Sequence, residues 1–124
     1  MQTQDARDVL ERYYAAFDAH NDGWKQLVSD DVAFDGPMQH ARGKAEFVSL
    51  TGQFLQAHLA TRLLSRMVDS NQVASVFEFD IDAPNGERLT CAVAEWATVD
   101  DGHINEFRVY YDPRTFVRAF GIGD

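Results

Sequence analysis

One cysteine, Cys91, is all the thiol the 124 residues hold, so no internal disulfide can form and no oxidising compartment is required. A cytoplasmic location is the default expectation. Positive charge is also scarce. Eleven Lys and Arg stand against twenty Asp and Glu, a net charge of −9, which repels nucleic acid and anionic membrane surfaces. No apolar run approaches the ~20 residues that cross a bilayer, and the start, Met-Gln-Thr-Gln-Asp-Ala-Arg-Asp, is not a secretory leader. A soluble protein is expected. The four histidines are scattered singly with no metal-ligand spacing, and no glycine-rich phosphate loop is present, so neither metal nor cofactor is expected. Gly102 reads as a turn and Gly121-Ile122-Gly123 as a tail.

What is present is ordinary globular material, 45% hydrophobic and 25% charged, at a length that suits a single domain over residues 1–124. From Asp5 to His20, Ala6, Val9, Leu10, Tyr13 and Phe17 form one helical stripe, with Thr3 placed to cap it. Asp22 starts a short helix through Trp24, Leu27 and Val28. Val32 to Asp35 alternates as a strand, broken at Gly36-Pro37. A loop from Met38 to Arg42 leads to a helix over Lys44–His58. Four strands follow, Ala60–Asp69, Val73–Ala83, Arg88–Val99 and His103–Asp112, each junction carrying Asn, Asp, Pro or Gly turn chemistry, which predicts an antiparallel meander. Asp112 then caps a last short helix that opens on Pro113.

Helices first and a meander afterwards predict an α+β fold, three N-terminal helices packed on a curved antiparallel sheet. Phe77, Phe79 and Ile81 share one face of their strand while Glu78, Asp80 and Asp82 share the other, so the aromatic face turns inward. On the next strand both faces carry apolar residues; Trp96 is read as inward, with Cys91 and Glu95 outward. Leu89, Val93, Ile104 and Tyr110 are then left on the face away from the helices, where a second copy would cover them as a homodimer.

The segments Val9-Leu10-Glu11-Arg12-Tyr13-Tyr14-Ala15-Ala16-Phe17, Asp30-Asp31-Val32-Ala33-Phe34-Asp35-Gly36-Pro37, Gly43, and Asp101-Gly102-His103-Ile104-Asn105-Glu106-Phe107-Arg108-Val109-Tyr110-Tyr111-Asp112 resemble the nuclear transport factor 2-like superfamily, which includes ketosteroid isomerase and the SnoaL-like polyketide cyclases. The resemblance implies a cone-shaped α+β barrel, a cystatin-like roll, whose mouth accepts a ligand. The residues it would turn inward are Tyr13, Phe17, Phe34, Phe54, Phe77, Phe79, Ile81, Trp96, Phe107, Val109 and Tyr111, with Tyr14 and Met38 beside them. Such a lining suits a small apolar or aromatic molecule. Tyr13 matches the isomerase's oxyanion tyrosine. Its base position, directly before the proline, is Gly36 here, and its second oxyanion donor falls on Ala94. Limonene epoxide hydrolase places an acid after the last-strand arginine; Val109 follows Arg108 here.

Three side chains remain for acid–base work. Asp35 ends the first strand beside the pocket, although strict alternation with Phe34 sends it outward. His40 lies in the loop after Pro37 and can exchange a proton near neutrality, or is a surface histidine. Tyr13 can steady an oxyanion, or is a core tyrosine. His58 at a helix C-terminus, His20 at a helix end and His103 in a turn read as structural. The leading expectation is a cofactor-independent isomerase, cyclase or lyase acting on an apolar carbonyl-bearing substrate. The rival is a non-catalytic ligand-binding or dimerisation module.

Overall fold

The computed structural model describes residues 2–120, and the glycine-containing tail at 121–124 lies outside the described residues. Helix α1 (Gln2–Asp18) begins ahead of Thr3, which therefore sits inside the helix rather than capping it. Its apolar stripe is buried as the spacing requires: Ala6, Val9, Leu10, Tyr13 and Phe17 are all in the core. A 3-10 turn (Asp22–Leu27) follows. Asn21 caps it by accepting from the Gly23 N–H, and it delivers Trp24 to the core.

The six strands are β1 (Val28–Asp35), β2 (His40–Arg42), β3 (His58–Asp69), β4 (Gln72–Asp82), β5 (Arg88–Asp100) and β6 (His103–Tyr110), joined in one sheet of order β2-β1-β6-β5-β4-β3. Helix α2 (Lys44–Leu55) crosses between β2 and β3, and α3 (Pro113–Phe120) closes the described chain. Asp112 caps α3 by accepting from the Arg114 N–H at 3.0 Å. The meander from β3 to β6 is antiparallel. Three expectations need correction. Among the described residues the helical content is three α-helices and one 3-10 segment, not three N-terminal helices: only α1 and the 3-10 turn precede the sheet, and α2 follows β2. The sheet is not wholly antiparallel, since β1 runs parallel to β6. Residues 40–42, read as loop, pair with β1 through Ala33–Arg42, Phe34–Ala41 and Asp35–His40.

Register decides which side chains face the helices. In an antiparallel pair, directly opposed residues share a face. The connection from Ala83 to Glu87 holds five residues, so odd positions of β4 oppose odd positions of β5: Phe77 faces Val93 and Ser75 faces Glu95. Val93, Glu95, Ala97 and Val99 are accordingly buried with Phe77 and Phe79. Trp96, expected inward, is on the outer face opposite Ala74 and Arg108 and is 41% exposed. Cys91, expected outward, opposes Phe79 on the inner face. A bulge between Thr98 and Val99 changes the β5–β6 register, so Ile104 and Phe107 both point inward; Ile104 is fully buried, not exposed. Of the four outer-face residues expected to cover a dimer contact, only Tyr110 is there. Met67, Val76 and Trp96 join it.

Candidate functional site

A cavity of about 310 Å³ opens between α1, α2 and the inner sheet face. Helix α1 supplies Tyr13, Tyr14 and Phe17, β1 supplies Phe34, and the β1–β2 connection supplies Met38 and Gln39. The sheet floor carries Phe77, Phe79, Val93, Glu95, Phe107 and Val109. Phe47, Leu50, Thr51, Gln53 and Phe54 come from α2, while Tyr111 and Phe116 pack edge to face at one margin. The rings brace each other: Phe47 stacks on Phe107 at 5.1 Å, and Tyr14 sits against Tyr13, Phe17 and Phe77. Apolar walls with a few polar atoms are the usual make-up of a small-molecule site.

The polar centre is Glu95. It is 5% exposed, and Tyr14 donates its hydroxyl to one carboxylate oxygen, Oε2. The other, Oε1, is buried with no hydrogen-bond partner. A buried carboxylate with half its acceptors unmet is costly, so such a group in a folded protein asks for an explanation. Burial pushes the Glu95 carboxyl up to about 7, against the opposing effects of the Tyr14 hydrogen bond and the Arg66 charge. Burial, reinforced by the Glu95 charge, holds both Tyr13 and Tyr14 well above the ordinary tyrosine range, so each stays a proton donor at neutral pH. The Tyr14–Glu95 pair thus joins a carboxyl that can be acid or base near neutrality to a fixed hydroxyl, inside apolar walls.

Asp35 and His40 are not brought to this cavity. Alternation turns Phe34 in and Asp35 out, with no bulge to reverse it at the β1 end. Asp35 instead accepts from Arg42 at 3.0 Å and lies 2.9 Å from the His40 ring, in an exposed cluster. The hydrogen bonds from His40, then Arg42, keep the Asp35 carboxyl below its ordinary value, the reverse of what a general base at neutral pH needs. Ile81 is in the core but does not line the cavity, and Trp96 is on the far side of the sheet. The other lining residues expected from sequence, Tyr13, Tyr14, Phe17, Phe34, Met38, Phe54, Phe77, Phe79, Phe107, Val109 and Tyr111, do surround it. Glu95 was missed because both faces of its strand look apolar. The strand bounds read from sequence leave four residues between Ala83 and Arg88; β4 ends one residue earlier, at Asp82, and the resulting five-residue connection turns Glu95 inward.

His58 also departs from its expected place. It begins β3 rather than ending a helix, is 2% exposed, and is ringed by Phe17, Phe54 and Phe79. Its ring lies 2.9 Å from His20 and 2.8 Å from the Thr61 hydroxyl, and burial lowers its proton affinity. The thiol of Cys91 is pushed up to about 11 by burial, which makes it inert. Among the described residues no group of three or more His, Cys, Asp or Glu could hold a metal ion.

The sequence profile of the SnoaL-like domain matches residues 10–107, which run from the middle of α1 into β6 and take in β1 to β5 whole. The chain belongs to the SnoaL-like domain family. Solved structures share the fold of this SnoaL-like chain, among them proteins described as NTF2-like and as cystatin-like in fold. Bal32a, from a soil-derived mobile gene cassette, superposes with a TM-score of 0.87 at 14% identity, over 97% of this chain and 99% of its own. A protein from Jannaschia sp. CCS1, described as a SnoaL-like polyketide cyclase, does so with 0.80 at 13% identity, over 99% and 96%. TerC, co-crystallised with polyporic acid, gives 0.79 at 15% identity, over 93% and 97%. No curated protein matches the chain in sequence. At these identities the SnoaL-like fold is what is shared.

Proposed function

We propose that this SnoaL-like chain, acting as one domain, binds a small apolar carbonyl-bearing molecule and moves a proton on it through Glu95, without a cofactor. The observation that carries this reading is the buried Glu95 Oε1, left without a partner beside a cavity whose other walls are aromatic. In the ionised enzyme Glu95 takes a proton from carbon next to the substrate carbonyl. The C–H bond breaks, an O–H bond forms on the carboxylate, and the electron pair moves to the carbonyl oxygen. The Tyr13 hydroxyl, whose neighbour Tyr14 is engaged by Glu95, hydrogen-bonds that oxygen. Returning the proton at another carbon completes an isomerisation; loss of a leaving group instead completes a lyase reaction. TerC, of the same fold, was crystallised with an organic ligand, which supports a molecule of that kind in this cavity.

The test is a screen of cyclic ketones and aromatic carbonyl compounds, followed by Glu95→Gln on whichever is turned over. The amide keeps shape but cannot take the proton, so a fall of about 10²-fold or more in kcat is expected. Retained turnover in E95Q would sink the reading, and a ligand that binds and is never converted would favour a binding module. The outer sheet face supports a homodimer as well. Met67, Val76, Trp96 and Tyr110 form an exposed apolar band flanked by the Arg62–Glu78, Arg62–Asp80 and Arg108–Glu106 ion pairs. A patch carrying paired charges of both signs can match a two-fold-related copy of itself.

A further inference from the structure

Strand β3 is at the sheet edge, and its pairing with β4 slips by one residue between Leu63 and Ser65. Before the slip Leu63 opposes Phe77; after it Ser65 opposes Val76 and Arg66 opposes Ser75. An unbroken register would have set Ser65 opposite Ser75. The bulge therefore exchanges a serine for an arginine on the cavity side of the sheet, as bulges beside functional sites do when they re-aim a side chain. Arg66 is partly buried and donates from Nε to the Ser75 hydroxyl at 2.9 Å. Ser75, itself 3% exposed, lies directly across from Glu95 on the next strand. Arg66, Ser75 and Glu95 thus form a transverse row over three strands, at right angles to the strand direction.

This guanidinium is unlike its neighbour on the strand. Arg62 is paired with Glu78 and Asp80 on the outer face, whereas among the described residues no carboxylate forms an ion pair with Arg66. The groups that face Glu95 are few. Helix α1 brings Tyr13 and Tyr14, β4 brings Ser75, β6 brings Val109 opposite it, and α2 brings the uncharged Thr51 and Gln53 into the same cavity. Arg66 is the positive charge that acts on Glu95, and it also acts on Tyr14.

We propose that Arg66, turned inward by the β3 bulge and anchored on Ser75, is the positioning residue whose charge keeps Glu95 partly ionised at neutral pH. The inference rests on the reading of Glu95 as the working group. An unopposed burial cost would leave Glu95 protonated and unable to act as a base. A direct Arg–Glu ion pair would do the opposite, fixing it as a permanent anion. Holding the charge one residue away, across a serine, gives an intermediate setting.

The experiment is a titration of the Glu95 carboxyl carbon by NMR in the full chain, for wild type, Arg66→Gln, Arg66→Met and Arg66→Lys. Both neutral variants should titrate higher by about half a pH unit or more, and the lysine variant should remain close to wild type. Glutamine keeps a polar group for Ser75, so a rise in R66Q isolates charge from packing; it also decides the matter if R66M does not fold. A raised wild-type Glu95 that is indifferent to both neutral substitutions overturns this inference alone. A wild-type Glu95 titrating near the ordinary 4.5 overturns the reading of the site, and this inference with it.

Discussion

Glu95 binds its proton more tightly in the folded chain than in the unfolded one, and that difference must appear in stability. Between the ordinary value of 4.5 and about 7 the native state holds more protons than the unfolded state. Stability is therefore highest on the acid side of that window and falls as pH rises through it. The full difference is about 3 kcal/mol, reached above pH 7. Urea unfolding of wild type and Glu95→Gln at pH 5 and pH 8 should show the loss in the first and not in the second. Tyr14→Phe removes the hydroxyl that satisfies Oε2, so Glu95 should titrate higher still, with a loss of about 1–3 kcal/mol at pH 8 for the newly unpaired carboxylate. Retention of wild-type stability by Y14F at pH 8 would mean the hydroxyl bond contributes little. His58 works in the other direction. Burial lowers its proton affinity, so the unfolded state binds the extra proton and stability falls as pH drops below about 6.5. His58→Gln should remove that acid-side loss while leaving the Glu95 slope in place.

At the scale of elements, periodicity was a good guide wherever one face was clearly polar. The stripe of α1, the alternation of Phe77, Phe79 and Ile81 against Glu78, Asp80 and Asp82, and the turn residues between the long strands all led to structure that is present. It failed on β5, where Ala92, Ala94 and Trp96 make the outer face as apolar as the inner one. Hydrophobicity cannot choose a face there; register does, and it turns on whether four or five residues join β4 to β5, a one-residue boundary that composition does not mark. It failed again where a bulge reset the pattern, at Ile104, because an extra residue leaves no compositional mark. The parallel pairing of β1 with β6 was illegible for a different reason, being a contact between segments some seventy residues apart that no local pattern encodes. Most of the cavity wall was therefore readable, while its one buried acid was not.

For the molecule as a whole, the two faces of the sheet differ, and the proposed dimer would use the outer one. The inner face holds the cavity, and the outer face holds exposed apolar side chains that a second copy would cover. Light scattering at micromolar concentration should give twice the mass of the 14.0 kDa chain. Trp96→Glu, at the middle of the band, should give the monomer while leaving the Glu95 titration where it was. A wild-type monomer mass would remove the dimer. No helix among the described residues is long and apolar enough to cross a membrane.

The five-residue connection from Ala83 to Glu87 lies at the surface, and its backbone closes through Ala83 N–H to the Glu87 carbonyl at 2.9 Å. Its length fixes the parity of everything after it. One residue added there, with the five-residue closure kept so that β5 slides by one against β4, would present Trp96 to the cavity and Glu95 to water, turning the site inside out without altering any residue in it. Chains of this fold that differ by a single residue here would be expected to carry different chemistry on the same scaffold.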